Sequence, residues 1–427
     1  MDKIRKSLFF VSIILAFNTL NTSAQLKISA EFRPRTELRH GYKALVLGSD
    51  ESAFSISQRT RLNFISTTDK LSYRMSIQDV RVWGDQTQMS TTSNQLMLQQ
   101  AWAEYKFNST LSMKLGRQEL DYDDARILGN VDWAQQARSH DIALFKYEDA
   151  FKLHLGAAYN QDAEKLKGTD YSVTGNYKTL QFLWFNKKIS ELGVSILLLN
   201  NGLQNKSADL VPVYKLAYTQ TMGSRLSYNL GSTSLFAAGY YTTGKDITLR
   251  KVSAHYAAVG ANVNINENWA TNLGYELLSG TSQLEKKNNS NYTNASFNPF
   301  YGTNHKFNGL MDYFYVGNHL NGVGLNDIYG TIAYKNGKFN AGLTPHYFIA
   351  ANEMIDPAVV GGKMNSKLGT EIDFTLGYKL DENVQISGGY SQMLATATLQ
   401  QLNGSGDAKA NNQWAWLMIA FKPDFLK

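Results

Sequence analysis

Ten of the thirteen arginines fall between Arg33 and Arg138. They are Arg33, Arg35, Arg39, Arg59, Arg61, Arg74, Arg81, Arg117, Arg126 and Arg138, interleaved with Glu31, Glu37, Asp79, Glu104 and Glu119. A guanidinium is a planar, permanently charged fork that matches a carboxylate with two parallel hydrogen bonds. Ten of them against five acids predict a local positive field that attracts anions. The bland alternative is an ion-pair network that only stiffens a wall. Both hold together if pairing leaves an excess of one sign.

The spacing says what must position these groups. Leu26, Ile28, Ala30 and Phe32 share one parity, and Lys27, Glu31, Arg33, Arg35, Glu37 and Arg39 the other. The next run repeats the pattern, with Phe54, Ile56, Leu62 and Phe64 against Ser55, Ser57, Arg59, Arg61 and Asn63. A period of two is that of a strand with one apolar and one polar face. In the third run Leu71, Tyr73, Met75 and Ile77 oppose Arg74, but Val80 and Val82 break parity, which predicts a bulge near Asp79.

Alternating runs of this kind continue to residue 422 and number eighteen. No window after Ala24 approaches 18 consecutive apolar residues. A chain with no spanning helix and many two-faced strands crosses lipid only as a closed barrel, since lipid leaves no partner for an unpaired backbone amide. The first 24 residues carry Lys3, Arg5 and Lys6, an apolar stretch from Leu8 to Phe17 and a small-residue exit at Thr22-Ser23-Ala24. They predict a signal peptide over 1–24, with 25–427 as a single outer-membrane β-barrel. Formal net charge is +6, of which the leader supplies +2, and there is no cysteine, so disulfides and thiolate metal sites are excluded.

Connections alternate between tight turns, such as Asn336-Gly337-Lys338, and longer segments, as expected of short periplasmic turns and long outer loops. The longest, 280–325, either folds over or into the mouth or stays a mobile surface loop. Aromatics such as Tyr73, Tyr105, Trp184, Tyr240, Trp269, Tyr329 and Tyr378 recur near strand ends and fit interfacial girdles, while lumenal Trp102 is suited to stacking on a sugar ring.

Other constellations are weaker. Asp121, Asp123 and Asp124 lack the glycine and terminal glutamate positions of a calcium loop. Ser139-His140-Asp141 places catalytic residue types side by side, but adjacent strand residues point to opposite faces and cannot converge. His305 and His319 have no evident third metal ligand. No metal, cofactor or nucleic-acid partner is expected.

Several segments together resemble the alginate-export porins of Gram-negative outer membranes, in the branch found in Bacteroidetes-like bacteria. They are Glu31-Phe32-Arg33-Pro34-Arg35-Thr36-Glu37, Gln58-Arg59-Thr60-Arg61-Leu62, Gln78-Asp79-Val80-Arg81-Val82-Trp83-Gly84, Leu115-Gly116-Arg117-Gln118 and Phe300-Tyr301-Gly302-Thr303-Asn304-His305. The resemblance implies an eighteen-stranded barrel with an arginine-rich constriction for a polyuronate or similar anion. By position it would draw on Arg33, Arg35, Arg59, Arg61, Arg81 and Arg117. The expected function is a passive porin for anionic, uronate-type saccharides or small anions, in contact with outer-membrane lipid. A phospholipase-like barrel enzyme and an adhesin or structural barrel are the competing classes. Transport direction and periplasmic partners stay open.

Overall fold

A computed structural model describes residues 25–90, 96–171, 173, 175–206, 213–315, 319 and 322–426. The expected signal peptide at 1–24 lies outside the described residues. The strands are β1 (Gln25–His40), β2 (Ala53–Thr67), β3 (Leu71–Val82), β4 (Leu96–Lys106), β5 (Leu111–Gln118), β6 (His140–Glu148), β7 (Lys152–Tyr159), β8 (Thr179–Ile189) and β9 (Leu192–Lys206). The second half continues with β10 (Tyr214–Leu230), β11 (Thr233–Lys245), β12 (Lys251–Asn264), β13 (Trp269–Leu278), β14 (Leu325–Asn336), β15 (Phe339–Ala350), β16 (Lys367–Asp381), β17 (Val384–Ala395) and β18 (Asn412–Phe421). Each pairs antiparallel with its sequence neighbours, and β18 returns to pair with β1, for example Arg35 opposite Met418. The sheet is therefore a closed eighteen-strand barrel. A three-residue β19 (Asp424–Leu426) resumes the line of β18 after Pro423, which cannot donate to the ladder, and pairs with Ile28 and Ser29 of β1.

Closure satisfies the backbone, and the pleat sorts the side chains. On β1, Glu31, Arg33, Arg35 and Glu37 are buried toward the lumen while Phe32 and Leu38 face out. On β18, Trp414 and Trp416 point inward, and Leu417 and Phe421 are exposed outside. No helix among the described residues is long and apolar enough to cross a membrane. The two short helices, α1 (Gln283–Asn288) and α2 (Ala397–Asn403), lie in loops.

The predicted bulge is displaced. Pairing of β2 with β3 runs without a shift from Ser57 opposite Val82 to Thr67 opposite Ser72. The irregularity sits one strand on, where Ser76 opposes Gln100 and Ile77 opposes Leu98, leaving Gln99 as the extra residue. Val80 and Val82 thus face the lumen on a regular strand, and Asp79 and Arg81 face out. Of the expected girdle aromatics, Tyr73, Tyr105, Trp269 and Tyr378 are exposed outside, but Trp184 and Tyr240 are buried in the lumen and Tyr329 stacks on His346 there.

Two loops fold into the barrel, 119–139 and the described residues of 279–324. They add Leu120, Ile127, Leu128, Phe297, Phe300, Met311 and Tyr313 to an apolar interior otherwise built mainly by inward strand residues. They are joined to each other by backbone bonds from Gly129 N to Tyr301 O (2.9 Å), Tyr301 N to Ile127 O (3.1 Å) and Thr303 N to Ala125 O (2.8 Å). Gly302 is required at this crossing, because a Cβ there would lie 2.1 Å from the carbonyl oxygen of Arg126.

Candidate functional site: a charged lumen moored to two loops

Arg33 of β1 stands directly opposite Arg59 of β2, and Glu31 opposite Arg61. Like charges in such a position repel, and a carboxylate from the 119–139 loop resolves the conflict. Asp132 lies 3.3 Å from Arg33 Nη1 and 2.9 Å from Arg59 Nη2, while Glu31 lies 3.8 Å and 2.5 Å from the same two groups. The guanidiniums also donate to loop carbonyls. Arg33 reaches Asp132 O (2.8 Å), Arg35 reaches Trp133 O (2.7 Å), and Arg35 stacks over the Trp133 ring at 4.1 Å.

Asp132 titrates as this geometry requires. Burial pushes its carboxyl up, but Arg59 and Arg33 outweigh that and hold it below the ordinary aspartate range. Glu37 is equally committed, accepting from Arg35 (2.9 Å), Arg39 (2.8 Å) and Trp414 Nε1 (3.1 Å). Arg61 donates to Gln78 (2.7 Å) and lies 4.0 Å from Glu119. All five inward arginines of β1 and β2 therefore have a carboxylate within 4.0 Å, and only Arg39 is substantially exposed.

A second sector of the wall has the opposite sign. Glu276 of β13, Asp327 of β14, and Glu371 and Asp373 of β16 are all buried in the lumen. The 279–324 loop caps them with donors: Asn308 Nδ2 to Glu276 and Asp327 (both 3.1 Å), Met311 N to Glu371 (2.7 Å) and Leu310 N to Asp373 (3.2 Å). His346 of β15 lies 3.0 Å from Asp327. Arg126 completes the cap, with Nη2 3.1 Å from Glu276 and 2.9 Å from Asn308 Oδ1. A buried ion pair needs such surrounding hydrogen bonds to offset desolvation. Sequence reasoning did not find this sector, because its acids lie singly on β13, β14 and β16 and are brought together only by the register of neighbouring strands, as where Glu276 stands opposite Asp327.

The loops meet at an aromatic cluster. Trp133 and His305 stack with centroids 4.5 Å apart, and Trp414 packs edge-on against both. His305 Nδ1 and Tyr42 OH both contact Asp312, at 2.8 Å and 2.5 Å. A cavity of about 460 Å³ opens beside this cluster, with Arg35, Arg39, Tyr42, Trp133 and Tyr315 in its lining.

The remaining predicted residues are dispersed. Arg81 opposes Gln58 and Asp79 opposes Thr60, on the parity opposite to Arg59 and Arg61, so this ion pair (2.6 Å) is on the outer face of the barrel and Asp79 is not a lumenal acid. Arg117 is likewise outside, paired with Asp141 at 2.9 Å, since its neighbour Gln118 is the inward residue. Arg126 and Arg138 sit on the inward loop rather than on strands, and Arg138 donates to Gly302 O (3.0 Å). Arg74 faces the lumen on β3, bonded to Ser76 and Asn63, and Glu104 accepts from Lys146 (2.9 Å) and Ser112 (2.7 Å). Glu119 opens the inward loop and accepts from Gln99 (2.6 Å). Asp132 and Lys114 were missed, one lying in a segment without periodicity and the other being a lysine beside an arginine pattern.

No catalytic triad forms at 139–141. Ser139 donates to Gln99 O (2.6 Å), His140 bonds Tyr177 in the lumen, and Asp141 is outside. Asp124 is paired with Arg225 (2.9 Å) and Asp123 accepts from Trp184, and among the described residues no group of acids and histidines has metal-site geometry.

Solved structures share the architecture. Acinetobacter baumannii OccAB4 superposes with a TM-score of 0.61 at 13% identity, covering 96% of this chain and 100% of that one. Acinetobacter baumannii OccAB1 gives 0.60 at 12%, covering 94% and 97%. Pseudomonas aeruginosa OpdK, solved with vanillate, gives 0.56 at 11%, covering 94% and 99%. No curated protein matches the sequence. Residues 19–321 match the family model described as alginate export, and with the closed barrel and its charged lumen this places the chain in that family of Gram-negative outer-membrane porins.

Proposed function

We propose that this porin conducts anionic solutes, of the uronate saccharide class, passively through the basic side of its lumen. The observation that carries the reading is the inward row Arg33, Arg35, Arg39, Arg59 and Arg61, extended toward the periplasm by Arg74. The row does not act as ten equivalent stations. Its central members moor the 119–139 loop, and Asp132 occupies the fork between Arg33 and Arg59 as a solute carboxylate would. A passing anion meets Arg39 beside the outer cavity, then the field of the moored arginines, then Arg74. Weak, sequential attraction of this kind lets a solute leave as well as enter.

Reversal-potential measurements in planar bilayers under a salt gradient test the proposal. The wild-type channel is expected to prefer chloride over potassium, and Arg39→Gln with Arg74→Gln to weaken that preference. A cation-selective wild type overturns it. Uronate oligomers should interrupt the current transiently, and neutral oligomers of equal size should not.

A further inference from the structure

The arginine row ends in a pairing pattern that singles out one patch of wall. Every inward guanidinium of β1 and β2 has a carboxylate partner, but Arg74 on β3 and Lys114 on β5 have none within 4.0 Å among the described residues. Arg74 is held by neutral oxygens only, Ser76 Oγ at 3.1 Å and Asn63 Oδ1 at 3.3 Å. Lys114 has its ammonium 3.8 Å from the centroid of the Trp102 ring. Arg74 lies directly opposite Trp102, so the indole stands between the two cations on one lumenal face. On its other flank Trp102 faces Gly116, which offers no side chain; its φ of +119° and a carbonyl 2.3 Å from any added Cβ admit only glycine.

The patch is three to four residues from the periplasmic turns that join β2 to β3 and β4 to β5. It is therefore on the periplasmic side of the inward loops. Nearby charge is partly neutralised, with Lys146 held by Glu104 (2.9 Å) and Glu148 (3.5 Å). Glu104 stands directly opposite Lys114 but its carboxylate is taken by Lys146 and Ser112, so the aromatic plane lies between two cations with no carboxylate within 4.0 Å among the described residues and has the parts needed for a ring that bears one.

We infer that Trp102, Lys114 and Arg74 form a binding subsite for a pyranose carboxylate at the periplasmic end of the lumen. This rests on the reading of the channel as a path for uronate-type anions and adds a specific station to it. The carboxylate takes charge-assisted hydrogen bonds from Lys114 and Arg74. As the ammonium swings to the carboxylate it gives up its cation–π contact, and the indole face is freed to stack on the sugar's C–H face.

The experiment is calorimetric titration of the detergent-purified full chain with a mannuronate trimer, beside a neutral trimer of equal length, with reversal potentials recorded on the same proteins. Wild type is expected to bind the uronate and not the neutral sugar. Lys114→Gln, Arg74→Gln and Trp102→Ala should each weaken binding about tenfold, the size of one lost charge-assisted hydrogen bond or stacking contact. Lys114→Arg should restore most of it. Lys114→Gln and Arg74→Gln keep side-chain volume, so the conclusion does not depend on the folding of Trp102→Ala. No binding by wild type, equal binding of the neutral trimer, or variants that bind as wild type each overturn the subsite. A channel that is anion-selective but whose uronate binding ignores these variants overturns the subsite alone. A cation-selective channel overturns the transport reading, while loss of binding in Lys114→Gln would still support the subsite.

Discussion

Arg126 is the residue whose loss should most disturb the lumen. Its side chain is 2% exposed, it is 3.1 Å from a Glu276 carboxylate that is 4% exposed, and it lies over the rings of Phe307 (4.5 Å) and Tyr256 (5.1 Å). Arg126→Met keeps most of the volume and removes the charge, leaving Glu276 buried beside Asp327 with only neutral donors, the Asn308 amide and the Tyr256 hydroxyl. Removing one partner of a buried pair costs about 3–5 kcal/mol. The barrel wall has its own ladder, so this cost should fall on loop docking and raise the undocked population by about 10²- to 4 × 10³-fold. Exposed Lys306 sits on the docked 279–324 loop and reports undocking. When opening is fast relative to cleavage, the proteolysis rate follows the open population. Trypsin should therefore cut Arg126→Met at Lys306 at least a hundred times faster than wild type, and single-channel current should become noisier. Adding Glu276→Gln removes the uncompensated charge and should recover most of the protection. Equal protease resistance of wild type and Arg126→Met, or a double variant no better than the single one, would refute the reasoning.

Arg117→Gln removes an outward charge, so anion preference should stay within error of wild type while Arg39→Gln lowers it; a large loss with Arg117→Gln would show that the pleat assignment is wrong. Docking through Asp132 should depend on pH in one direction only. Its carboxyl is held below the ordinary aspartate value of about 3.9, so its contribution is complete above that value and disappears as pH falls through the docked value. Current noise should stay flat from pH 8 to 5 and rise below about pH 4, and Asp132→Asn should be noisy throughout. Gly302→Ala forces a Cβ against the Arg126 carbonyl and should raise trypsin cleavage at Lys306 without changing the strand signal in far-UV circular dichroism.

The barrel was legible in the sequence because its signal is local. Parity alone assigned Arg33, Arg35, Arg59 and Arg61 to the lumen, and eighteen runs became eighteen spanning strands. Where parity shifts, a sequence cannot say which strand carries the extra residue. Placing the bulge near Asp79 instead of at Gln99 carried Arg81 to the wrong face, and grouping by residue type alone did the same for Arg117. The inward loops were less legible. Their conformation is set by long-range pairings such as Leu128 with Tyr301, which leave no periodic trace in either segment.

The same geometry changes what the arginine excess means. Set against only the five acids of the strand pattern, the ten arginines leave an excess of five, although residues 31–138 hold thirteen acids in all. In three dimensions two of the ten are outside, two belong to the loop, and the five inward arginines of β1 and β2 are partnered. The 119–139 loop carries Asp132 to the basic sector and Arg126 to the acidic one. Six residues of chain span at most about 20 Å, so one short segment bridges wall sectors of opposite sign, and each half of the bridge is held by the charge it brings. Charge in this lumen thus does two jobs at different depths. At mid-height it holds the loops that narrow the passage, and the cations with no carboxylate within 4.0 Å among the described residues, Arg74 and Lys114, lie below that level. Selectivity and constriction are then separable by mutation: Asp132 and Arg126 variants should change current noise more than ion preference, and Arg74 and Lys114 variants the reverse.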